Sequence, residues 1–203
     1  MLKQLVRKNR TYRRFYEEVK IPEKDLLSFI ELARLSASPR NRQSLKFYFS
    51  NKEDTNQKIF ETLSWAGALP NWKQAKKGER PSAYIIILGD NSILPKVEKS
   101  YHEVASGIAA QSITLGATEK GFGGCIIAAI KRTQLKKQLQ LPQYLDVLLV
   151  LAMGKANENV IISEMPKNGS YNYWRDEKQN HYVPKRKLED IVLNKFIKNI
   201  GKI

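Results

Sequence analysis

Two nearly unbroken apolar runs, Tyr84–Leu88 and Leu145–Ala152, constrain this chain more than any other feature. Neither alternates with a period of two, so each reads as a strand covered on both faces. A sheet with such strands at its centre needs a layer on each side, and the intervening stretches supply helices. Residues 22–36 read as amphipathic: Pro22 suits the first turn, Glu23 and Asp25 complement the dipole, and Leu26, Phe29, Ile30 and Ala33 share one face. A helix over 98–119 contains Ala105, Ser106, Gly107, Ala109 and Ala110, small residues that let another backbone approach closely. Shorter strands are expected at 45–50 and 125–127. Further helices are expected from Asp54 to Ala66, over 131–140, and after Lys187 to about residue 198. Strands separated by helices give a mixed α/β layer architecture. No repeat, low-complexity tract or Pro/Gly linker interrupts the 203 residues, so one domain spanning 1–203 is expected. The excursion from Gly67 to Arg80 is long for a compact domain, and such loops are often functional.

The charge balance narrows the partners. Thirty-five basic residues against twenty acidic ones give a net charge of +15. Such a chain is attracted to nucleic acid, anionic membrane and phosphorylated small molecules alike. Nucleic acid is disfavoured because no basic stripe is interleaved with aromatics and no finger or helix-turn-helix signature occurs. A membrane span is disfavoured because no apolar run approaches the roughly 20 residues required. Glu17 and Glu18 interrupt the basic N-terminal stretch, which argues against a transit peptide. Cys125, the lone cysteine, permits no internal disulfide and suits a reducing cytoplasm; it reads as a small buried residue.

Conventional catalytic machinery is missing. His102, His181 and Cys125 do not have the spacing of a zinc site. No Gly-x-Ser-x-Gly elbow or P-loop occurs, and Gly121-Phe122-Gly123-Gly124 is not a dinucleotide fingerprint because Ile126 stands where the last glycine belongs. Any difficult chemistry therefore falls to a cofactor.

Two islands joined by the 22–36 helix suggest which kind. Arg10-Thr11-Tyr12-Arg13-Arg14-Phe15 places three arginines and a hydroxyl within five residues, suited to a phosphate. By spacing alone these residues also read as a solvated, basic helix terminus. Ser38-Pro39-Arg40-Asn41-Arg42-Gln43 is a polar turn, in which Asn41 and Gln43 either bind a ligand or stand in water. Lys185, Arg186 and Lys187 form a second basic cluster far along the chain. Trp65 and Trp72 either line a pocket beside a flat ring or pack in a core.

The order of these pieces resembles the FMN-dependent nitroreductase family. Arg10–Phe15 is similar to its Arg-Ser-x-Arg-x-Phe opening. Ala33-Arg34 with Ser38–Ser44 resembles its Ala-Arg…Pro-Ser-Ser-x-Asn-x-Gln-Pro segment. Gly107-Ile108-Ala109-Ala110-Gln111, Gly121–Cys125 and Val183-Pro184-Lys185-Arg186 resemble its Gly-Ile-Ala-x-Gln helix, Gly-Leu-Gly turn and C-terminal basic motif. This chain departs from the pattern at Asn9, where a basic residue is common, at Pro39-Arg40, where small residues are usual, and at Ser44-Leu45, where Pro-Trp is usual.

The resemblance implies an α+β sandwich, a mixed and mostly antiparallel sheet flanked by helices, in a homodimer with two FMN molecules at the subunit interface. Arg10, Thr11 and Arg13 would hold the phosphate together with Lys185 and Arg186. Ser38 and Asn41, with the backbone near Ala37, would reach the FMN of the partner subunit, and Gln43 would be a further cofactor-binding residue. The backbone at Ala128 and Ala129 would lie near the reactive edge of the flavin. Implied too is a reaction in which NADH or NADPH passes a hydride to the flavin, which then reduces a small electron-poor acceptor such as a nitroaromatic or quinone. A non-catalytic flavin-binding or sensing protein of the same fold is the alternative.

Overall fold

The computed structural model describes residues 1–69, 72–94 and 98–193. They divide between a larger unit, Met1–Gly67 with Trp72–Asn157, and a smaller one formed by Ala68–Asn71 and the chain from Glu158 onward. In the larger unit the order is α1 (Leu2–Lys8), β1 (Phe15–Tyr16), α2 (Glu23–Leu35), β2 (Leu45–Ser50), α3 (Glu53–Phe60), β3 (Ala83–Asp90), α4 (Lys99–Glu119), β4 (Gly123–Ile127), α5 (Arg132–Gln138) and β5 (Leu145–Ala156).

The two apolar runs become β3 and β5, the centre of a wholly antiparallel sheet. β3 lies between β2 and β5, while β4 and β1 pair with successive stretches of the other edge of β5. Every residue of β3 is buried, because alternate side chains meet different helical layers. Ile85 and Ile87, with Leu151 and Met153 of β5, pack against Leu26, Phe29 and Ala33 of α2 and Ala109, Ala110, Ile113 and Ala117 of α4. Tyr84, Ile86 and Leu88, with Val150 and Ala152, pack against Ile59 and Phe60 of α3 and Leu135 of α5. Each fully buried branched side chain contributes about 1.5–3 kcal/mol relative to exposure. The α+β sandwich is therefore produced by two facing hydrophobic cores that share one sheet. Cys125 belongs to the α3/α5 side.

The small residues of α4 serve close packing as the sequence implied, except Gly107, which is exposed. Ala105, Ser106, Ala109 and Ala110 are buried, and further along a Cβ at Gly116 would meet Leu32 of α2. Elsewhere local backbone bonding overrides periodicity. The helix beginning at Glu53 stops at Phe60 rather than Ala66. The Thr62 hydroxyl donates to Ile59 O (2.7 Å), Lys131 N to Thr62 O (2.8 Å), and Ser64 N to Ala129 O (3.0 Å). The backbone of 62–64 is thus recruited by 129–131, which fixes the loop between β4 and α5.

The smaller unit holds β6 (Val160–Glu164), β7 (Trp174–Arg175) and β8 (His181–Lys185). β6 pairs parallel with β8, and β7 pairs antiparallel with it, so this second sheet is mixed. Its fixed points are an ion pair between the buried Glu158 and Arg175, and a parallel stack of Trp174 on Tyr182 with centroids 4.1 Å apart. A short 3-10 turn, Leu188–Asp190, follows, and residues 191–193 are not helical, so the expected C-terminal helix is not formed there; its remainder from 194 on lies outside the described residues. Among the described residues no helix is long and apolar enough to cross a membrane.

Candidate functional site

Thr11 and its neighbours lie along β4. Thr11 makes a parallel bridge with Gly124, and Tyr12 N donates to Gly124 O at 3.0 Å. The glycine turn is what permits this approach. A Cβ at Gly123 would stand 2.9 Å from Tyr12 Cε2 and closer still to Cδ2. The Tyr12 hydroxyl is tied to Lys8 O at 3.0 Å, so the ring has no free exit. Gly123→Ala is expected to cost about 1–3 kcal/mol by overpacking, read as a lower urea midpoint; an unchanged midpoint would contradict the contact.

The three arginines of this island have different fates. Arg14 pairs with Glu79 and lies over the Trp72 ring at 4.8 Å. It therefore ties residues 72–80 to β1, as do Phe15 N to Glu79 O (3.0 Å) and Glu17, which accepts from Gly78 N. Arg13 is buried and engaged by the protein's own groups. Arg10 is half-buried; Nη2 donates to Val6 O at 2.7 Å, and Nε has no partner. Burial pulls its guanidinium below the ordinary value, and nearby Arg7 adds to this against the pull of Tyr12. A cation in that position gains from an added anion. Thr11 is exposed. Asn9 donates to Thr114 Oγ1 at 3.0 Å, which anchors the segment to α4.

The second island forms a closed loop. Ser38 Oγ accepts from Gln43 N at 3.0 Å, and Asn41 N donates to Ser38 O at 2.8 Å. Asn41 and Gln43 are exposed. Ser38 and Gln43, with Ala33, Ala37, Phe47 and Ala109, line a cavity of about 160 Å³.

Ala128 and Ala129 are exposed in the loop after β4. Ala129 O accepts from Ser64, and Ala128 O accepts from Arg132 Nη2 at 3.1 Å. Arg132 also donates Nε to Val147 O at 2.9 Å, so one guanidinium sets this loop against β5. Ala128 and Arg132 line a concavity of about 800 Å³ with Ser106, Gly107 and Leu148. No atom lies within 4 Å of where a Gly107 Cβ would stand. The two cavities use different residues of α4: Ala105 and Ala109 for the first, Glu103, Ser106 and Gly107 for the second.

The structure thus brings Ser38 together with Gln43, and Thr11 together with the glycine turn. It places Ala128 at a separate cavity from Ser38. Lys185 and Arg186 are exposed at the end of β8 in the smaller unit. Sequence reasoning missed Arg132, whose bonds go to backbone carbonyls and leave no motif. Trp65 packs against the α3/α5 core, its ring centroid 5.9 Å from that of Phe60. A third cavity, of about 180 Å³ between α3 and β3, contains none of the predicted residues. Among the described residues no group of His, Cys, Asp or Glu side chains could hold a metal ion.

A model of the nitroreductase family matches residues 6–155. The chain belongs to that family. Solved structures agree on the fold. A protein from Desulfovibrio desulfuricans, described as a nitroreductase in complex with FMN, is 17% identical, with a TM-score of 0.69 and 95% of each chain covered. The NADPH:FMN oxidoreductase of Vibrio harveyi, solved with NAD+, is 20% identical with a TM-score of 0.64, covering 86% of this chain and 78% of its own. A nitroreductase family protein from Clostridium novyi NT is 22% identical with a TM-score of 0.62, covering 77% and 86%. No curated protein matches the sequence. The order of motifs from Arg10 to Cys125 is thereby accounted for by nitroreductase-family membership.

Proposed function

We propose that this nitroreductase-family protein is a flavin oxidoreductase. It binds FMN, takes electrons from NADH or NADPH, and passes them to a small electron-poor acceptor such as a nitroaromatic or a quinone. The observation that carries the reading is the cationic segment seated on the glycine turn. There Arg10 keeps an unpartnered Nε and Thr11 keeps an exposed hydroxyl. Those groups fit a phosphomonoester, which carries a charge of about −1.5 to −2 near neutral pH. Space for the rest of the cofactor is supported by the 800 Å³ concavity, within the usual size of small-molecule sites.

When bound, FMN supplies the two-electron redox chemistry. The chain's own groups bind and orient. Arg10, Thr11 and Arg13 hold the phosphate, and Lys185 and Arg186 serve as further cofactor-binding cations. The backbone of Ala128 and Ala129 stands at the reactive edge, kept there by Arg132 and Ser64. Ser38, Asn41 and Gln43 offer hydrogen bonds to the polar part of a second cofactor molecule, across a homodimer interface. The use of different residues of α4 by the Ser38 and Ala128 cavities supports that division of labour. A cytoplasmic location belongs to the same proposal, in keeping with a single cysteine.

The test is the absorbance spectrum of the purified protein, reconstituted with FMN and freed of excess. Flavin bands are expected, bleaching anaerobically on addition of NADH or NADPH and returning with a quinone or nitroaromatic. Absence of bound flavin overturns the reading. Bound flavin that neither nicotinamide bleaches identifies a binding or sensing protein instead.

A further inference from the structure

The loop carrying Ser38, Asn41 and Gln43 has a strained backbone, closed by its own bonds to Ser38 and held further by contacts with α4. Arg40, Asn41 and Gln43 have φ of 51°, 52° and 50°, the left-handed region in which a residue with a Cβ is strained. Three such residues within four do not persist unless something holds them. The contacts of the loop with α4 follow an alternation. The Arg40 guanidinium lies 5.9 Å from the centroid of the Tyr101 ring. Arg42 Nη2 is 3.7 Å from Glu98 Oε2. Ser44 Oγ is 2.9 Å from His102 Nδ1. Residues 40, 42 and 44 therefore engage the start of α4, while Asn41 and Gln43 are left exposed.

These three contacts are unequal. Arg42 and Glu98 are too far apart at 3.7 Å for a hydrogen bond, and Arg40 stands at the outer limit of a cation–π approach to Tyr101, so each contact contributes little. Ser44 and His102 are both buried, so breaking their hydrogen bond strands two polar atoms away from water. The imidazole is also wedged: a Cβ at Gly89 would stand 3.0 Å from His102 Cγ. Ser44 is pinned from its other side, where its carbonyl accepts from Asp90 N at 2.9 Å. His102 is thus the strongest link between a strained loop and a rigid helix.

We propose that His102 is a positioning residue for the cofactor. Through Ser44 it holds the 38–43 loop in the strained conformation that presents Asn41 and Gln43, so that the binding groups are preorganised. The departure from the family pattern at Ser44 then has a purpose in this chain, since the serine supplies the partner that His102 requires. Without that link the loop relaxes toward ordinary backbone angles. Apparent affinity falls in proportion to the binding-competent fraction.

This inference rests on FMN being the ligand, and the experiment separates the two. FMN dissociation constants are measured by flavin fluorescence on apo-protein for wild type, His102→Ala and His102→Asn, with hydrogen exchange at residues 39–43 followed in parallel. The Asn amide reaches the place of Nδ1 and can bond Ser44; alanine cannot. Expected are about tenfold weaker FMN binding in His102→Ala, equivalent to about 1.4 kcal/mol, faster exchange at 39–43, and recovery of both in His102→Asn. Should His102→Ala not fold, Ser44→Ala breaks the same bond with less loss of volume and is expected to show the same weakening. A folded alanine variant that binds as tightly as wild type overturns the proposal. Equal loss in His102→Ala and His102→Asn also overturns it, because packing and not the hydrogen bond would then be responsible. Wild type that binds no FMN sinks the functional reading, and this inference with it.

Discussion

Arg175→Ala is expected to destabilise the smaller unit by about 3–5 kcal/mol, the range for removing one partner of a buried ion pair. The Glu158 side chain is 1% exposed and that of Arg175 10% exposed, and the two pair directly. Removing the cation takes from a buried carboxylate its ion-pair partner. The position in the fold magnifies the effect. Glu158 stands two residues before β6, and Arg175 sits in β7 in register with His181 of β8. One pair therefore ties both outer strands of the three-stranded sheet. Contrast Glu31 and Arg34, one turn apart on α2 with side chains 49% and 64% exposed; water screens that pair, and breaking it is expected to leave the unfolding midpoint almost unmoved. The Trp174–Tyr182 stack gives a local optical probe. Urea unfolding followed by tryptophan fluorescence should shift strongly for Arg175→Ala and recover in Arg175→Met/Glu158→Leu, where neither charge remains. A shift in the single variant no larger than that of Arg34→Ala would mean that the pair does not anchor the outer strands.

What the sequence disclosed depended on the range of the forces involved. β3 was legible because five consecutive apolar residues from Tyr84 admit few readings, and burial on both faces followed directly. α2 was legible because Leu26, Phe29 and Ala33 recur at helical spacing on one side. α1 was not legible: Leu2–Lys8 has no buried residue, so no face of it was selected for a core. The end of α3 at Phe60 was hidden because Thr62 and Ser64 are drawn away by residues about 65 positions later. β6 and β8 pair across some 20 residues of polar and aromatic chain, a non-local choice that composition does not encode. At the site, Arg10 and Thr11 stood out by charge and by their place in an ordered set of motifs. Arg14 stood out equally, yet it is used structurally by Glu79 and Trp72. Ser44 and His102, 58 residues apart, meet only through the path of the sheet.

Arg13→Ala is expected to strip FMN from the protein, and the size of the loss follows from its burial. Each charge-assisted hydrogen bond to a phosphate contributes about 1.5–3 kcal/mol, equivalent to about 10- to 150-fold in dissociation constant. Arg10 and Arg13 differ in what else they do. Arg13 is 6% exposed and engaged within the protein, so its removal costs both a ligand contact and local order in the segment seated on Gly124. Arg10 is only half-buried and donates within α1 to Val6 O, so Arg10→Ala should lose the ligand contact with little change in melting temperature. The expected pattern is weaker binding in both variants, with a lowered melting temperature only in Arg13→Ala. Equilibrium dialysis against FMN, with thermal melts of the apo-proteins, reads the two quantities separately. Inorganic phosphate should compete with FMN in wild type and less in either variant, because the contacts at issue are to the phosphate and not to the ring. Flavin content unchanged in folded Arg13→Ala would place the phosphate elsewhere and leave that guanidinium as a structural cation.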